Sequence, residues 1–351
     1  MAQVLTIASG TQVPAVNFHA QRYLIDDLEA NEVLIKMLAA PINPLDILVL
    51  AGVYPVKPSH THLDEPILGY DGVGEVLKVG RSVTNLSLGD LVVPSKFGTG
   101  TWRTHAVLDI ASLQKVTRPT DLAFASILRI GIAPAFCLVE DMRALKPGDY
   151  IIQNAGTSLL AQFVIQFARR RGVNVINVVR DREAYELEKI EAALHKLGAE
   201  IVVTESALAG DARVKNKRIT LALDSVFGAS GHGLVKALAV GGTYVQLGFL
   251  SGAAGGPIAI DPTDLFARQL TMKGFRGSAQ VGLRSAEEQV DLFNWFVELF
   301  NSGELQLPAL GLQKVKWSIG NAEESKGGLL EAVERAKSGA LGQRKQIILF
   351  E

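Results

Sequence analysis

Apolar residues change their rhythm part-way along the chain. From Glu32 to about Val107 they come in short Val/Leu/Ile-rich runs, 33–37, 74–79 and 91–93, parted by Gly, Pro, Asn and Asp, the mark of strands and turns. Beyond about Leu122 the apolar runs alternate with stretches of helical period: 150–153, a helix over 159–171, 173–179, a helix over 183–197, then 201–204. The alternation continues through 221–226, a helix near 231–239, 243–247, a helical stretch around 263–269, and 270–275. Strands alternating with helices predict a parallel sheet with right-handed crossovers, here of six strands. A further helix is expected around 287–300, and the tail from Leu305 returns to short strands such as 346–350 that rejoin the first lobe. The expected organisation is α/β: a β-rich domain over 1–125 and 305–351, a Rossmann doubly wound parallel sheet over 126–304, and a cleft between two packed lobes.

Composition narrows the partners. The 351 residues are 48% hydrophobic with a formal net charge of -1, which lacks the basic excess that nucleic acid or an anionic membrane surface attracts. Apolar stretches are broken by charges or glycines before the roughly 20 residues a spanning helix needs. One cysteine, Cys137, excludes an internal disulfide framework and fits a reducing compartment, where its expected role is packing. Acidic Asp26, Asp27 and Glu29 arrive early, with no basic cluster ahead of an apolar core, so the chain as given reads as cytoplasmic, or mitochondrial if a presequence has been removed.

The run 150–153 leads into Asn154-Ala155-Gly156-Thr157-Ser158 and then a helix. Small residues and free backbone N–H groups at a helix N-terminus favour a pyrophosphate. A full G-x-G-x-x-G fingerprint is absent, with Ala161 where a close-packing glycine is expected, and an ordinary strand-to-helix turn reads the same way. After the second strand come Arg180-Asp181-Arg182. An acidic residue there would take a ribose 2′-hydroxyl and an arginine a 2′-phosphate, so two guanidiniums around one carboxylate favour NADPH over NADH. An exposed charged turn with no ligand is the plain alternative.

For the catalytic half, the proline-framed turn Ala40-Pro41-Ile42-Asn43-Pro44 supplies no metal ligands. His60 and His62 lack the partners tetrahedral zinc requires, and a single cysteine cannot build a four-cysteine site. A hydride-transfer enzyme without zinc needs another group to manage charge on the substrate carbonyl. Tyr54, in Gly52-Val53-Tyr54-Pro55, is the leading candidate as a phenol able to hydrogen-bond an enolate or donate a proton; a ring packed against its loop is the alternative. Asn43 either approaches the nicotinamide or merely holds its turn. Trp102 and Trp295 are expected to pack, Asp224 to cap a turn, and His232 to start a helix.

These residues carry a resemblance over nearly all of the chain. With Met37 to Pro44 (MLAAPINP), Gly100-Thr101-Trp102-Arg103-Thr104, Gln153-Asn154-Ala155, Ile176 to Arg182 (INVVRDR) and Lys345-Gln346-Ile347, the chain resembles the mitochondrial trans-2-enoyl thioester reductases, zinc-independent members of the medium-chain dehydrogenases/reductases. The resemblance implies a GroES-like catalytic domain beside the Rossmann domain. It also implies reduction of a carbon–carbon double bond conjugated to a thioester, with hydride from NADPH to the β-carbon and protonation of the enolate at the α-carbon. By it Tyr54 matches the catalytic tyrosine; Thr157, Ser158, Leu159 and Leu160 fall on the pyrophosphate loop; and Arg180, Asp181 and Arg182 fall on the adenosine phosphate. Leu247, Gly248, Phe249 and Leu250, with Phe275, Arg276 and Gly277, fall near the nicotinamide, and Lys345 is the C-terminal cofactor contact.

The departures sit in sensitive places. Ala133 stands where the family has an asparagine contacting the cofactor, Leu247 replaces a tyrosine, Arg276 replaces a tryptophan, and Leu159-Leu160-Ala161 replaces a Gly-Val-Gly-like stretch. Lost hydrogen-bonding capacity and a gained charge fit a changed substrate, such as an enone of specialised metabolism. A quinone-reductase-like enzyme is the nearest rival, and a non-catalytic NADPH-binding scaffold or sensor is the reading from another class. The partners expected are a small molecule, as a CoA or carrier-protein thioester, and a second copy of the chain paired through an edge strand.

Overall fold

The protein is described from a computed structural model, which covers residues 2–8, 15–21, 28–339 and 344–351. By its internal contacts the chain divides into two compact units: Met1–Ile130 with Arg284–Leu307 and Gly311–Glu351, and Gly131–Leu283 with Pro308–Leu310.

The first unit is organised on a seven-stranded sheet. Its order runs Leu312–Trp317, Lys345–Phe350, Glu32–Pro41, Val73–Val79, Leu91–Pro94, Leu113–Val116, with His105–Asp109 also beside Glu32–Pro41. The pairing that matters for the site is antiparallel, Ile347 opposite Pro41; it carries Lys345 to the turn that follows the long strand. Trp102 and Trp317 are fully buried in the core beneath. Trp102 donates its indole N–H to the carbonyl of Pro41 at 3.1 Å, and a side chain at Gly69 would stand 2.4 Å from both Thr101 Oγ1 and Trp102 Cδ1. The Gly-Thr-Trp-Arg-Thr string is therefore a packing motif under the turn that begins at Pro41.

Two features of this unit differ from the sequence reading. The tail holds a 17-residue helix, Ala322–Ser338, between its two strands. Gly327 and Gly328 mask its period, yet Ser325, Leu329, Ala332 and Val333 form one buried stripe. The helix Ala286–Asn301 stands with this unit and not with the span 126–304. It is tied to the loop after Leu113–Val116, where Thr117 N donates to Asn294 Oδ1 at 2.7 Å and Thr120 N to Asn301 Oδ1 at 2.9 Å.

The second unit is a six-stranded, all-parallel sheet in the order Ile201–Thr204, Asn174–Val179, Tyr150–Gln153, Ile219–Asp224, Thr243–Gln246, Thr271–Gly274. The direction of progress reverses between Tyr150–Gln153 and Ile219–Asp224, the switch point beyond whose carboxyl ends such sheets take ligands. The fourth strand ends at Asp224, not at Val226. The Asp224 carboxylate accepts from Val226 N and Phe227 N at 2.8 and 2.7 Å, which turns the chain out of the sheet. Cys137 is buried in the helix Ala133–Glu140.

Candidate active site

In the first unit Asn43 caps the short helix Pro44–Leu50, which leads to Tyr54. Proline at its first position has φ preset for the helix and no N–H to leave unpaired. After the helix, Gly52 takes φ +75 and Val53 N and Tyr54 N return to the carbonyl of Leu48 at 3.0 and 3.3 Å. That hook leaves the Tyr54 ring half-buried, edge-on to Tyr70 with centroids 6.2 Å apart. The two phenols differ in use: Tyr70 is fully buried and donates to the carbonyl of Val56 at 2.8 Å. Burial, then the charge of Asp46 and the neighbouring Tyr54, raise the Tyr70 pKa.

Beneath them lies a set of charges that the sequence reading missed, apart from Lys345. Lys345 Nζ donates to the carbonyl of Ile42 at 2.7 Å and to Asn43 Oδ1, and Asn43 N donates to Asp46 Oδ2 at 2.7 Å. The structure thus brings Asn43 and Lys345 together, as neighbours of each other. Burial pushes the Asp46 carboxyl up and the Lys345 ammonium down, and their mutual attraction opposes both shifts. Asp71, fully buried, accepts from Ile130 N at 2.8 Å and Gly72 N at 3.1 Å. Burial pushes its carboxyl up to about 7 against those donors and the charge of Arg129. Arg129 is itself lowered to about 10 by burial. Its guanidinium donates to Pro94 O, Gln114 Oε1 and Gln289 Oε1 and lies over the Phe293 ring. Acidic letters in a strand-and-turn region look like surface turns, and only the pairing of distant strands shows them sealed.

The second unit carries the turn at 154–158 that the sequence offers for a nucleotide. Ala155 takes φ +46, and a side chain on Gly156 would stand 2.9 Å from Asn177 Cβ and 3.0 Å from the carbonyl of Val178. Ser158 caps the helix Leu159–Arg170, its side chain accepting from Ala161 N at 3.2 Å. That leaves the N–H groups of Leu159 and Leu160 in the first turn, where an α-helix supplies no internal acceptor. Thr157 contributes its carbonyl to Gln162 Nε2 at 2.9 Å. Buried Gln153 ties strand, helix and next strand together, donating to Ala161 O at 2.9 Å and Asn177 Oδ1 at 2.7 Å.

The Arg180-Asp181-Arg182 turn resolves its mixed charges. Asp181 faces Ser206, accepting from its hydroxyl and, at 3.4 Å, from its N–H; the hydroxyl holds the carboxyl below its ordinary range. Arg182 bends back to the carbonyl of Arg180 at 3.1 Å, and its pKa is lowered by burial and then by the charge of Arg180. Two guanidiniums held near each other, with their acid turned to another partner, fit a dianionic phosphate better than a ribose hydroxyl. The turn and this pair together fit the NADP(H) that the resemblance implies.

Around the carboxyl ends of the middle strands, Asp224 acts as the turn cap expected of it and does more. Its carboxylate also accepts from Asn154 Nδ2 at 2.6 Å and the Tyr244 hydroxyl at 2.5 Å, while Asn154 Oδ1 accepts from Ser225 N at 2.8 Å. Asn154, buried in the nucleotide turn, is thereby locked to the loop after the fourth strand. In that loop Phe227 has φ +75 and ψ -177, a conformation held essentially by glycine alone and costing a larger residue about 1–3 kcal/mol. Leu247 and Gly248 give their N–H groups to the carbonyl of Asp224 at 2.9 and 3.2 Å. Phe249 and Leu250 are 54% and 60% exposed, a large solvent share for apolar residues. Phe275 N donates to Gln246 O at 2.8 Å. Exposed Arg276 precedes the helix Gly277–Val281, and a side chain at Gly277 would stand 3.1 Å from Pro134 Cγ. Ala133 is fully buried.

Residues 29–118 match the family described as the alcohol dehydrogenase GroES-like domain, and residues 160–295 the one described as zinc-binding dehydrogenase. Among the described residues no three His, Cys, Asp or Glu side chains are placed to hold an ion. The chain is 37% identical over 289 residues to the human mitochondrial enoyl-[acyl-carrier-protein] reductase, covering 80% of this chain and 74% of that protein. It is 36% identical over 303 residues to the rat protein of the same name, covering 84% and 78%. Among solved structures it is similar to the Etr1p complex with NADP and crotonyl-CoA, with a TM-score of 0.87, 26% identity and 99% of each chain covered. It matches equally, at 27% identity and TM-score 0.87 over 99% of each chain, the mitochondrial 2-enoyl thioester reductase Etr1p/Etr2p heterodimer from Candida tropicalis. A bacterial NADPH:quinone reductase shares the fold at 21% identity. The chain belongs to the mitochondrial enoyl-[acyl-carrier-protein] reductase family of the medium-chain dehydrogenases/reductases.

Proposed function

We propose that this protein reduces the carbon–carbon double bond of a trans-2-enoyl thioester with NADPH. The observation that carries the cofactor choice is the Arg180–Arg182 pair with Asp181 drawn off to Ser206. When bound, NADPH supplies a hydride, which the conjugated thioester takes at its β-carbon. The first unit supplies what must follow: an acid for the α-carbon and a donor for the enolate oxygen. Our candidate for both roles is Tyr54, whose ring is half-buried and edge-on to Tyr70; the carboxyls of Asp46 and Asp71 are fully buried. Asn43 and Lys345, hydrogen-bonded to each other, hold the turn from which Tyr54 is hung. Thr157, Ser158, Leu159 and Leu160 hold the pyrophosphate at the helix N-terminus. Leu247 and Gly248, with Phe275 to Gly277, border the nicotinamide half, beyond the carboxyl ends of their strands.

A thioester carried by CoA or by a carrier protein is the substrate class, in keeping with the relatives named enoyl-[acyl-carrier-protein] reductase and with a neighbour bound to crotonyl-CoA. We also propose a homodimer formed through the edge strand Thr271–Gly274. All four of its residues are exposed, and Phe266, 88% exposed, precedes it in the chain. Pairing that edge with a second copy covers unpaired backbone groups and apolar side chains at once. The mitochondrial setting of the relatives favours that compartment over the cytoplasm; fractionating cells that express the tagged protein tests it.

The deciding experiment for function is NADPH oxidation by the purified protein with crotonyl-CoA and longer enoyl thioesters, alongside a quinone and a simple enone. The reading requires thioester-dependent oxidation that exceeds the other two acceptors. A preference for the quinone assigns the protein to the quinone-reductase-like alternative, and NADPH binding with no turnover assigns it to the scaffold alternative.

A further inference from the structure

The loop after the fourth strand of the second unit is built at a cost. Phe227 occupies a backbone conformation that glycine would take freely, with φ +75, and the Asp224 carboxylate holds it there through Val226 N and Phe227 N. The ring so fixed meets Phe249 edge to face, centroids 5.6 Å apart and planes at 62°. Phe249 and its neighbour Leu250 are both more than half exposed. The two loops are bonded together: Leu250 N donates to Ser225 O at 3.1 Å and Ser251 Oγ to Val226 O at 2.7 Å. A side chain at Gly248 would stand 2.6 Å from the carbonyl of Ser225, so the approach is close. Through Asn154 the same network is fastened to the nucleotide turn.

What this surface would bind follows from its donors. The N–H groups of Val226, Phe227, Leu247, Gly248, Leu250 and Ser251 are all spent on acceptors within the two loops. Hydrocarbon needs apolar area rather than donors, and two rings with a leucine give it that. Strain kept in place by a buried carboxylate, at the carboxyl ends of parallel strands, is where a ligand role is expected. We propose that Phe227 and Phe249, fixed by Asp224, form the wall that takes the hydrocarbon tail of the acyl thioester and sets its chain-length preference. This rests on the enoyl thioester reading above and deepens it.

The test compares wild type, Phe227→Gly and Phe249→Ala by kcat/KM for crotonyl-CoA and trans-2-dodecenoyl-CoA. It adds KM for NADPH, and calorimetric affinities for butanoyl-CoA and dodecanoyl-CoA in the presence of NADP. Glycine suits the backbone at 227 and Phe249 is exposed, so both variants are expected to fold, checked by thermal melting. The expected result is a fall of about tenfold in the dodecenoyl-to-crotonyl ratio in each variant, with KM for NADPH unmoved. An unchanged ratio overturns the proposal, as does a parallel loss on both substrates with a raised KM for NADPH, which gives the pair to the cofactor. If wild type reduces no thioester, the activity reading fails on its own. Calorimetry then decides the wall: tighter binding of the long acyl chain that both variants lose supports it, and equal affinities overturn it.

Discussion

The two units handle charge in opposite ways. The first seals Asp46, Asp71, Arg129 and Lys345 inside, where burial drives the carboxyls up and the cations down. The second leaves Arg180 and Asp181 on the surface, and its buried acids are each satisfied: Asp224 by hydrogen-bond donors, Asp149 by Arg218, and Asp264 by Arg268 and Lys236. A phosphate comes with its own charge and needs an open cationic turn. A proton donor to a carbon centre needs a rigid, dry support, because its orientation and acidity both depend on what lies under it. Buried charge in the first unit ties the turn before Tyr54 to distant strands, while the exposed charge at 180–182 is the proposed address of the cofactor.

Breaking the comparison at the catalytic turn gives the largest effect. Tyr54→Phe removes the phenol and keeps the ring against Tyr70; kcat with an enoyl thioester is expected to fall about a hundredfold to ten-thousandfold, with NADPH affinity by fluorescence titration retained. Next is the address itself. Replacing Arg180 and Arg182 together by alanine is expected to raise KM for NADPH by about ten- to a hundredfold, on the scale of lost charge-assisted hydrogen bonds, and to leave KM for NADH near its starting value. A drop in NADH use of the same size contradicts the assignment.

Smaller effects sharpen the account. Gly156→Ala puts a methyl 2.9 Å from Asn177 Cβ, and denaturant unfolding is expected to show a loss of about 1–3 kcal/mol from overpacking. The Asp71 carboxyl is held at about 7 in the folded protein, above an unfolded value of roughly 3.9. Its folded state therefore binds more protons across that window. Its contribution to stability is full below about pH 4 and is lost as pH rises through about 7, by up to about 1.4 kcal/mol per pH unit. Asp71→Asn should flatten that part of the profile of unfolding free energy against pH, and an unaltered slope removes Asp71 as its source.

The alternating half of the fold was legible because parallel strands sealed on both faces read as unbroken apolar runs. All six appear, with Tyr150–Gln153 and Ile201–Thr204 at the expected bounds. The end of the fourth strand was not legible, since Val226 continues the apolar run and only the Asp224 side chain ends the pairing. The helix Ala322–Ser338 was hidden by its paired glycines. At the site, the turn at 154–158 and the arginines at 180 and 182 are expectations from local letters, and Tyr54 is one from its turn and its phenol together with the resemblance. The Asp46–Lys345 cluster could not be read in this way, because its members lie at opposite ends of the chain and meet only through the pairing of Ile347 with Pro41. Phe227 carried a faint signal: a bulky residue before glycine where a strand leaves the sheet.

The central claim, hydride to the β-carbon and a proton from the Tyr54 side to the α-carbon, is tested most directly by isotope placement. Crotonyl-CoA is reduced once with NADPH deuterated at C4 in ordinary water and once with ordinary NADPH in deuterium oxide, and the product is read by NMR. The account predicts cofactor deuterium at the β-carbon, solvent deuterium at the α-carbon, and loss of both products with Tyr54→Phe. Cofactor deuterium at the α-carbon, or undiminished reduction by the Tyr54→Phe protein, would contradict it.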